Sequence, residues 1–329
     1  MWVLRVHCFS FAFFALKICF SVNSVSSVAN NQVPAAGELV LDHVAHFVAH
    51  MDVASGALEN LGFTLTPFSA QSHRPEPAGP LAPAGTGNRC AMLGRGYLEF
   101  LTPTGDTPVA NQLRTAIKRY VGVHLVAFGT AAPETDHARL AKAGFGPLPP
   151  LSLQREIATP HRTETARFTV VRVSAGTMAE GRVQFCRHHT PQFLWQERWL
   201  AHANRAAALN GVVLCVADPR EAAQRYAHYA GLLALLAGGV WRVATARGYL
   251  MFLEPGALAR GLGAEPPAPP SIAGYVLESD DIDATGVVLR RSGADVHALG
   301  SRRLLATAPA AIGGLVIFEP AGSGALQIN

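Results

Sequence analysis

Apolar and polar positions along the chain alternate between two rhythms, and they do so four times. Each cycle opens on a short apolar run that reads as a strand: "LVLDHVAHFV", "VGVHLVAF", "NGVVLCVA" and "AGYVLES". A helix of about three turns follows. The helices end on "LENLGF", "LAKAGF", "AHYAGL" and "LRRSGA", with Gly62, Gly144, Gly231 and Gly293 in the C-terminal cap position. Asp52, Asp218 and Asp280 or Asp281 stand at three helix starts, and "APET" at the fourth. Further strand-like segments come after each helix, three sets closing similarly with "YLEFLTP", "YLMFLEP" and "LVIFEP". The pattern predicts an α+β fold of four tandem βαβββ modules, over about 38–105, 119–192, 209–257 and 271–322.

The connections divide the chain. "SHRPEPAGPLAPAGTG" reads as a proline- and glycine-rich loop in the first module, and "GLGAEPPAPPS" as the linker between the third and fourth. Residues 38–192 form a first pair of modules, 193–208 a connector, and 209–322 a second pair. The linking stretch carries Trp195 and Trp199, whose large apolar area is expected to pack the halves together.

Within the opening run, a period of two places Leu41, His43, Ala45 and Phe47 on one face. His43 is thus flanked by apolar neighbours, where an imidazole must hydrogen-bond, stay neutral or bind a metal. His46 faces the other way and reads as structural. Glu99 shares a face with Tyr97 and Leu101, and His124 with Val126 and Phe128.

Bulk composition narrows the classes. A chain of 329 residues with 49% hydrophobic and 15% charged residues has ample material for a packed core. The net charge of +4 is spread out, and no basic run appears, which excludes nucleic acid as an expected partner. Residues 1–37 read differently: Arg5 precedes "CFSFAFFALKICFSV", interrupted by Lys17, and "SVA" offers a cleavage site. A secretory signal and a dispensable extension both fit, so the compartment stays open: cytoplasmic with the second, periplasmic or secreted with the first. The leader is too broken for a transmembrane helix, and no stable membrane span is expected. Beyond Cys8 and Cys19 in the leader, Cys90, Cys186 and Cys215 are expected as buried free thiols.

A strand–helix–three-strand unit used in pairs, with "LDHVAHFV", "GTGNRCAML" running into "GYLEFLTP", and "HHTPQFLWQERWLAH", resembles the glyoxalase / vicinal-oxygen-chelate superfamily, and within it the bacterial glyoxalase-like domain proteins. The resemblance covers about residues 38–322. It implies two units forming one cupped mixed sheet with flanking helices and a metal in the cup. Carried over by position, the implied ligands are His43, Glu99 and His124. The fourth position departs from the pattern: "VQFCRHHTP" has no carboxylate and leaves Gln184, His188, His189 or water, with His189 preferred for sharing a face with Val183 and Phe185.

The cofactor so implied is a divalent ion, with zinc, nickel, iron(II) and manganese all compatible. Glu99 is the candidate catalytic base. Asn88, Arg89 and Tyr97 are candidates for orienting substrate, although Asn88 serves equally well to satisfy loop backbone. The implied activity is a lyase, isomerase or dioxygenase on a small oxygenated molecule. A non-catalytic small-molecule binder of the same fold is the alternative, and a homodimer is left open. The second pair, with Val213, Val276 and Met251 at the ligand positions, is expected to hold no metal.

Overall fold

The computed structural model describes residues 32–73, 79–300 and 302–327. Residues 1–31, with Cys8 and Cys19, lie outside them. No helix among the described residues is long and apolar enough to cross a membrane, which says nothing of β-barrels.

The first pair of modules supplies strands β1 (Leu39–Phe47), β2 (Ser69–His73), β3 (Ala82–Met92), β4 (Tyr97–Pro103), β5 (Gly122–Thr130), β6 (Leu151–Ala158), β7 (Thr163–Arg172) and β8 (Arg182–His188). They pair in the order β1-β4-β3-β2-β6-β7-β8-β5, and β5 returns to β1, so the cup closes into a ring. The stretch expected as a loop over "SHRPEPAGPLAPAGTG" is partly strand, since β3 begins at Ala82 and pairs through Pro83 and Gly87 with β2. Three helices belong to this half: α1 (Met51–Asn60), α2 (Pro108–Arg119) and α3 (Pro133–Lys142).

After the short helix α4 (Pro191–Leu194), the second pair supplies β9 (Ala206–Cys215), β10 (Ala234–Ala237), β11 (Val240–Ala244), β12 (Tyr249–Leu253), β13 (Ser271–Ser279), β14 (Val296–Leu299), β15 (Arg303–Thr307) and β16 (Leu315–Pro320). Their order is β10-β11-β12-β9-β13-β16-β15-β14, joined to the first half where β13 meets β5. Here the cup stays open, with β10 and β14 at its edges. Helices α5 (Pro219–Ala230), α6 (Pro255–Leu262) and α7 (Ile282–Arg291) complete it.

The four repeated helices end as their glycines require, with Gly62, Gly144, Gly231 and Gly293 all at positive φ. At their starts, Asp218 accepts from the Arg220 and Glu221 amides and Asp281 from the Ala284 amide. Asp52 does not cap: His50 occupies that position and Asp52 sits in the first turn.

One apolar core, from Val44, Val126 and Phe185 of the first half to Leu214, Tyr229 and Phe318 of the second, lies between the two cups. Tyr229 of α5 stacks on Phe185 at 5.3 Å and donates to the Val183 carbonyl. His46 also bridges the halves, its ring nitrogens 3.1 Å from the Ile312 carbonyl and 3.3 Å from the Tyr275 hydroxyl.

This shared core does the work expected of the two tryptophans. Trp195 is fully buried, but inside the first half, beside Cys90, Met92, Tyr97 and Ala166, with its indole N–H on the Leu93 carbonyl at 3.0 Å. Trp199 is only partly buried at the edge of that cluster. Trp195→Ala is therefore expected to cost about 3–5 kcal/mol, the usual loss for a buried aromatic. Trp199→Ala should cost clearly less, and denaturant unfolding of the two variants checks the order.

Candidate active site

The ring encloses a cavity of about 190 Å³, and its lining follows from two irregularities of pairing. Strand β1 runs antiparallel to β5, but Asp42 has no opposite residue, and neither does His124. Each is the extra residue of a bulge, and a bulge shifts the faces that a strict alternation would assign. Leu41 therefore enters the shared core, while His43 lines the cavity, and Ala45 and Phe47 join Leu101 and Leu125 in a cluster on that side.

The register gives the equivalences between modules. On β4, Tyr97 lies opposite His43 and Glu99 opposite Ala45. On β8, Arg182 lies opposite Leu125 and Gln184 opposite Ala127. With Asp42 matching His124 as bulge residue, the counterpart of His43 is Leu125 and that of Glu99 is Gln184. Both Leu125 and Gln184 line the cavity.

Four of the residues singled out from the sequence meet here. His43, Asn88, Tyr97 and Glu99 all line the cavity. His43 Nδ1 lies 2.6 Å from Asp42 Oδ2, and its ring stacks on Tyr97 at 4.4 Å. Glu99 Oε1 accepts from Asn88 Nδ2 at 2.5 Å and from Gln71 Nε2 at 3.4 Å. Glu99 Oε2 lies 3.9 Å from His43 Nε2. Arg155 Nη1 donates to Asn88 Oδ1 at 2.7 Å, and the Thr86 hydroxyl to Gln71 Oε1 at the same distance, so the whole bank is tied together.

Three residues are placed elsewhere. His124, expected to face the cup with Val126 and Phe128, does not line the cavity: those two neighbours enter the shared core, and the imidazole is sandwiched between Phe47 and Tyr120, with Nε2 2.8 Å from the Tyr120 carbonyl. His189 is exposed and bonds the Thr169 hydroxyl at 2.8 Å, because Val183 and Phe185 point into the shared core, not into the cup. Arg89 alternates with Asn88 on β3 and so faces out, donating Nε to the Thr66 carbonyl and lying 3.3 Å from Glu59.

The cavity-lining set on β8 is Arg182, Gln184 and Cys186, with His188 next on the same face of the strand. Asp42, Cys186 and His188 bring one donor atom each within 4.8 Å of one another, all buried. Burial would raise the Asp42 carboxyl, but the charge of His188 and hydrogen bonds from His188 and His43 hold it well below the usual carboxylate range. Burial would likewise lower His188, and the Asp42 carboxylate reverses this, raising it to about 10. These directions describe a buried ion pair, with His188 Nε2 3.0 Å from Asp42 Oδ2. Burial pushes the Cys186 thiol up, so it stays protonated. Cys90, Cys186 and Cys215 are buried free thiols, as expected.

Because an ionised carboxylate only accepts, the Asp42 contact makes His43 Nδ1 the donor, and in the neutral ring Nε2 keeps its lone pair towards Glu99. The pair His43 Nε2 and Glu99 Oε2 could hold a cation from two sides.

The sequence model of the glyoxalase-like domain family matches residues 41–230. The chain belongs to that family. No curated protein matches it. Among solved structures, this glyoxalase-like chain superposes on a hypothetical protein from Staphylococcus aureus with TM-score 0.57 and 10% identity, over 86% of this chain and 99% of that one. A xylose isomerase-like TIM barrel/4-hydroxyphenylpyruvate dioxygenase fusion protein gives TM-score 0.50 and 11% identity, over 89% of this chain and 51% of that one. The Mn(II)-bound glyoxalase from Novosphingobium aromaticivorans gives 0.49 and 11%, over 87% and 82%. Identities this low carry the fold alone, a mixed α+β architecture of cupped sheets.

Acid and base act on stability through different histidines. Burial pushes His46 and His124 down from 6.5 to about 4. Between those values the unfolded chain takes up protons that the folded one refuses, so stability falls as pH drops from about 6.5 to about 4. His188, raised to about 10, contributes fully below 6.5 and loses its contribution as pH rises through about 10. The unfolding free energy is expected to peak near pH 6.5. Denaturant midpoints measured across pH check this; a steady rise from acid to pH 9 would contradict it.

Proposed function

We propose that this glyoxalase-like protein is a metalloenzyme whose divalent ion is held by His43 Nε2 and Glu99 Oε2, with the Gln184 amide oxygen as third donor, and that it acts on a small oxygenated substrate. One observation carries the reading: two donor atoms 3.9 Å apart converge in an enclosed cavity, and each is fixed from behind by its own partner. Asp42 behind His43 and Asn88 behind Glu99 are the outer supports that metal-binding imidazoles and carboxylates regularly have. One nitrogen and two hard oxygens suit zinc, iron(II), manganese or nickel.

When bound, the ion polarises a substrate oxygen as a Lewis acid. The protein's own groups do the rest. Asp42 holds the His43 tautomer, and Asn88 with Gln71 holds Glu99 Oε1, so that Oε2 is the carboxylate oxygen presented to the cavity. Glu99 is the base that accepts a substrate proton in this reading. Tyr97, its phenol kept neutral chiefly by burial, covers one face of the His43 ring and keeps water from it.

A second reading, a binding protein of the same fold without turnover, draws on Leu125 and Gln184 standing where the second module would supply a histidine and a carboxylate. The metal content of protein purified without a histidine tag separates the two. About one divalent ion per chain is expected, lost in His43→Ala and Glu99→Ala and retained in His124→Ala and His189→Ala. Asp42→Asn should weaken ion binding roughly 10–100-fold. A parent protein that takes up none of zinc, nickel, iron(II) or manganese would leave the binding reading in possession.

A further inference from the structure

Among the described residues, the charged side chains lining the cavity are the guanidiniums of Arg155, Arg172 and Arg182 and the carboxylate of Glu99, with His43 beside it. Arg155 is committed to Asn88 and lies over the Phe168 ring. The other two are differently placed. Arg172 at the end of β7 lies opposite Gln184 on β8, and Arg182 is two residues before Gln184 on the same strand. The two guanidiniums therefore flank Gln184 as diagonal neighbours on the cavity side.

Like charges set this way on adjacent strands repel, and withdrawal from water adds to the cost. Among the described residues neither guanidinium lies within ion-pair distance of a carboxylate; Arg182 donates to the neutral Gln112 amide and lies over the Phe47 ring. Two cations that repel across a half-desolvated cavity are stabilised together by an anion between them. Leu151, Leu153, Phe168 and Val170 form an apolar stretch of the same cavity's wall.

We propose that Arg172 and Arg182 form an anion subsite beside Gln184, so that the cavity takes a small organic monocarboxylate whose carboxylate lies between the two guanidiniums and whose body lies on the apolar wall. The assignment deepens the proposed function by naming its substrate class, but it rests on the arginines and not on the metal. Paired guanidiniums favour a carboxylate for its charge and for its two coplanar oxygens. A cavity of about 190 Å³ suits a small metabolite rather than a drug-sized ligand.

The test uses the full chain and matched probes: lactate, 2-hydroxyisocaproate and 3-phenyllactate, each against its own primary amide, titrated calorimetrically. At least one acid is expected to bind about tenfold or more tightly than its amide, as charge-assisted pairs do. That preference should fall away in Arg172→Gln and Arg182→Gln and be kept in part by Arg182→Lys, which retains the charge. Circular dichroism and melting of each variant confirm that the loss is not unfolding, and the lysine variant serves if a glutamine variant does not fold. If no acid outbinds its amide in the parent, or if the preference survives in both glutamine variants, the proposal is overturned. Metal content measured on the same samples keeps the two proposals apart. A carboxylate preference in a chain that takes no metal supports this subsite and removes the metalloenzyme reading; a metal-loaded chain with no such preference does the reverse.

Discussion

Asp42 is the charge around which the cup is organised. Its carboxylate is fully buried, which is costly unless every lone pair finds a donor, and it finds two imidazoles: His43 on its own strand and His188 on β8. Those strands belong to different modules, so the contact ties the opening of the first to the closing of the second. Removing the carboxylate would take away the charge that keeps the buried His188 protonated, leaving a neutral imidazole without its partner, and would free the His43 ring to turn. Tyr97 and Trp195 pack edge-on against His188 from behind, so the polar pair sits on an aromatic floor.

The same backbone device appears in the second half with a different result. Strand β9 carries its bulge residue at Asn210, which donates to Glu319 on β16 at 2.6 Å, and Glu319 in turn meets Arg303 at 2.8 Å. By register, Gly211 stands where the first half has His43, Met251 where it has Glu99, and Ile317 where it has Gln184. That inner face is closed by Val213, Met251, Leu253, Val276, Leu305 and Ile317 packed on one another. One scaffold thus holds two cups, one with an open cavity and one filled with its own side chains.

This contrast was readable from residues, and so were the four helices with their closing glycines, because local pattern determines them. The placement of His43, Glu99 and Asn88 at one cavity is readable because strand position and residue type coincide. His124 could not be placed correctly, since one bulge residue on each opening strand shifts the face assignment and no local signal marks it. The β8 stretch failed for another reason. Alternation in "RVQFCRH" separates Val183 and Phe185 from Arg182, Gln184, Cys186 and His188, and sequence alone favours the apolar set as the inward one. In a ring packed outside against a second half, the apolar face is the outer one and the polar face lines the cavity. Arg155, Arg172 and Arg182 carry no local signal of the cavity that they line, since arginine on an alternating strand reads equally well as solvated. Trp195 was assigned to the boundary between halves because it stands in the connector, whereas its indole folds back beneath Tyr97.

Closure of the first eight strands also determines where this sheet can grow. A ring leaves no main-chain row for another strand to join, whereas the second half ends on β10 and β14. Among the described residues no strand pairs with the outer edge of β10, where Leu235 and Leu236 are more than half exposed. Extension by strand addition, whether by a neighbour in an assembly or by a misfolded copy, is confined to the half whose cup is filled. The cavity rim and the edges open to recruitment therefore lie on separate halves, and selection can act on one without disturbing the other.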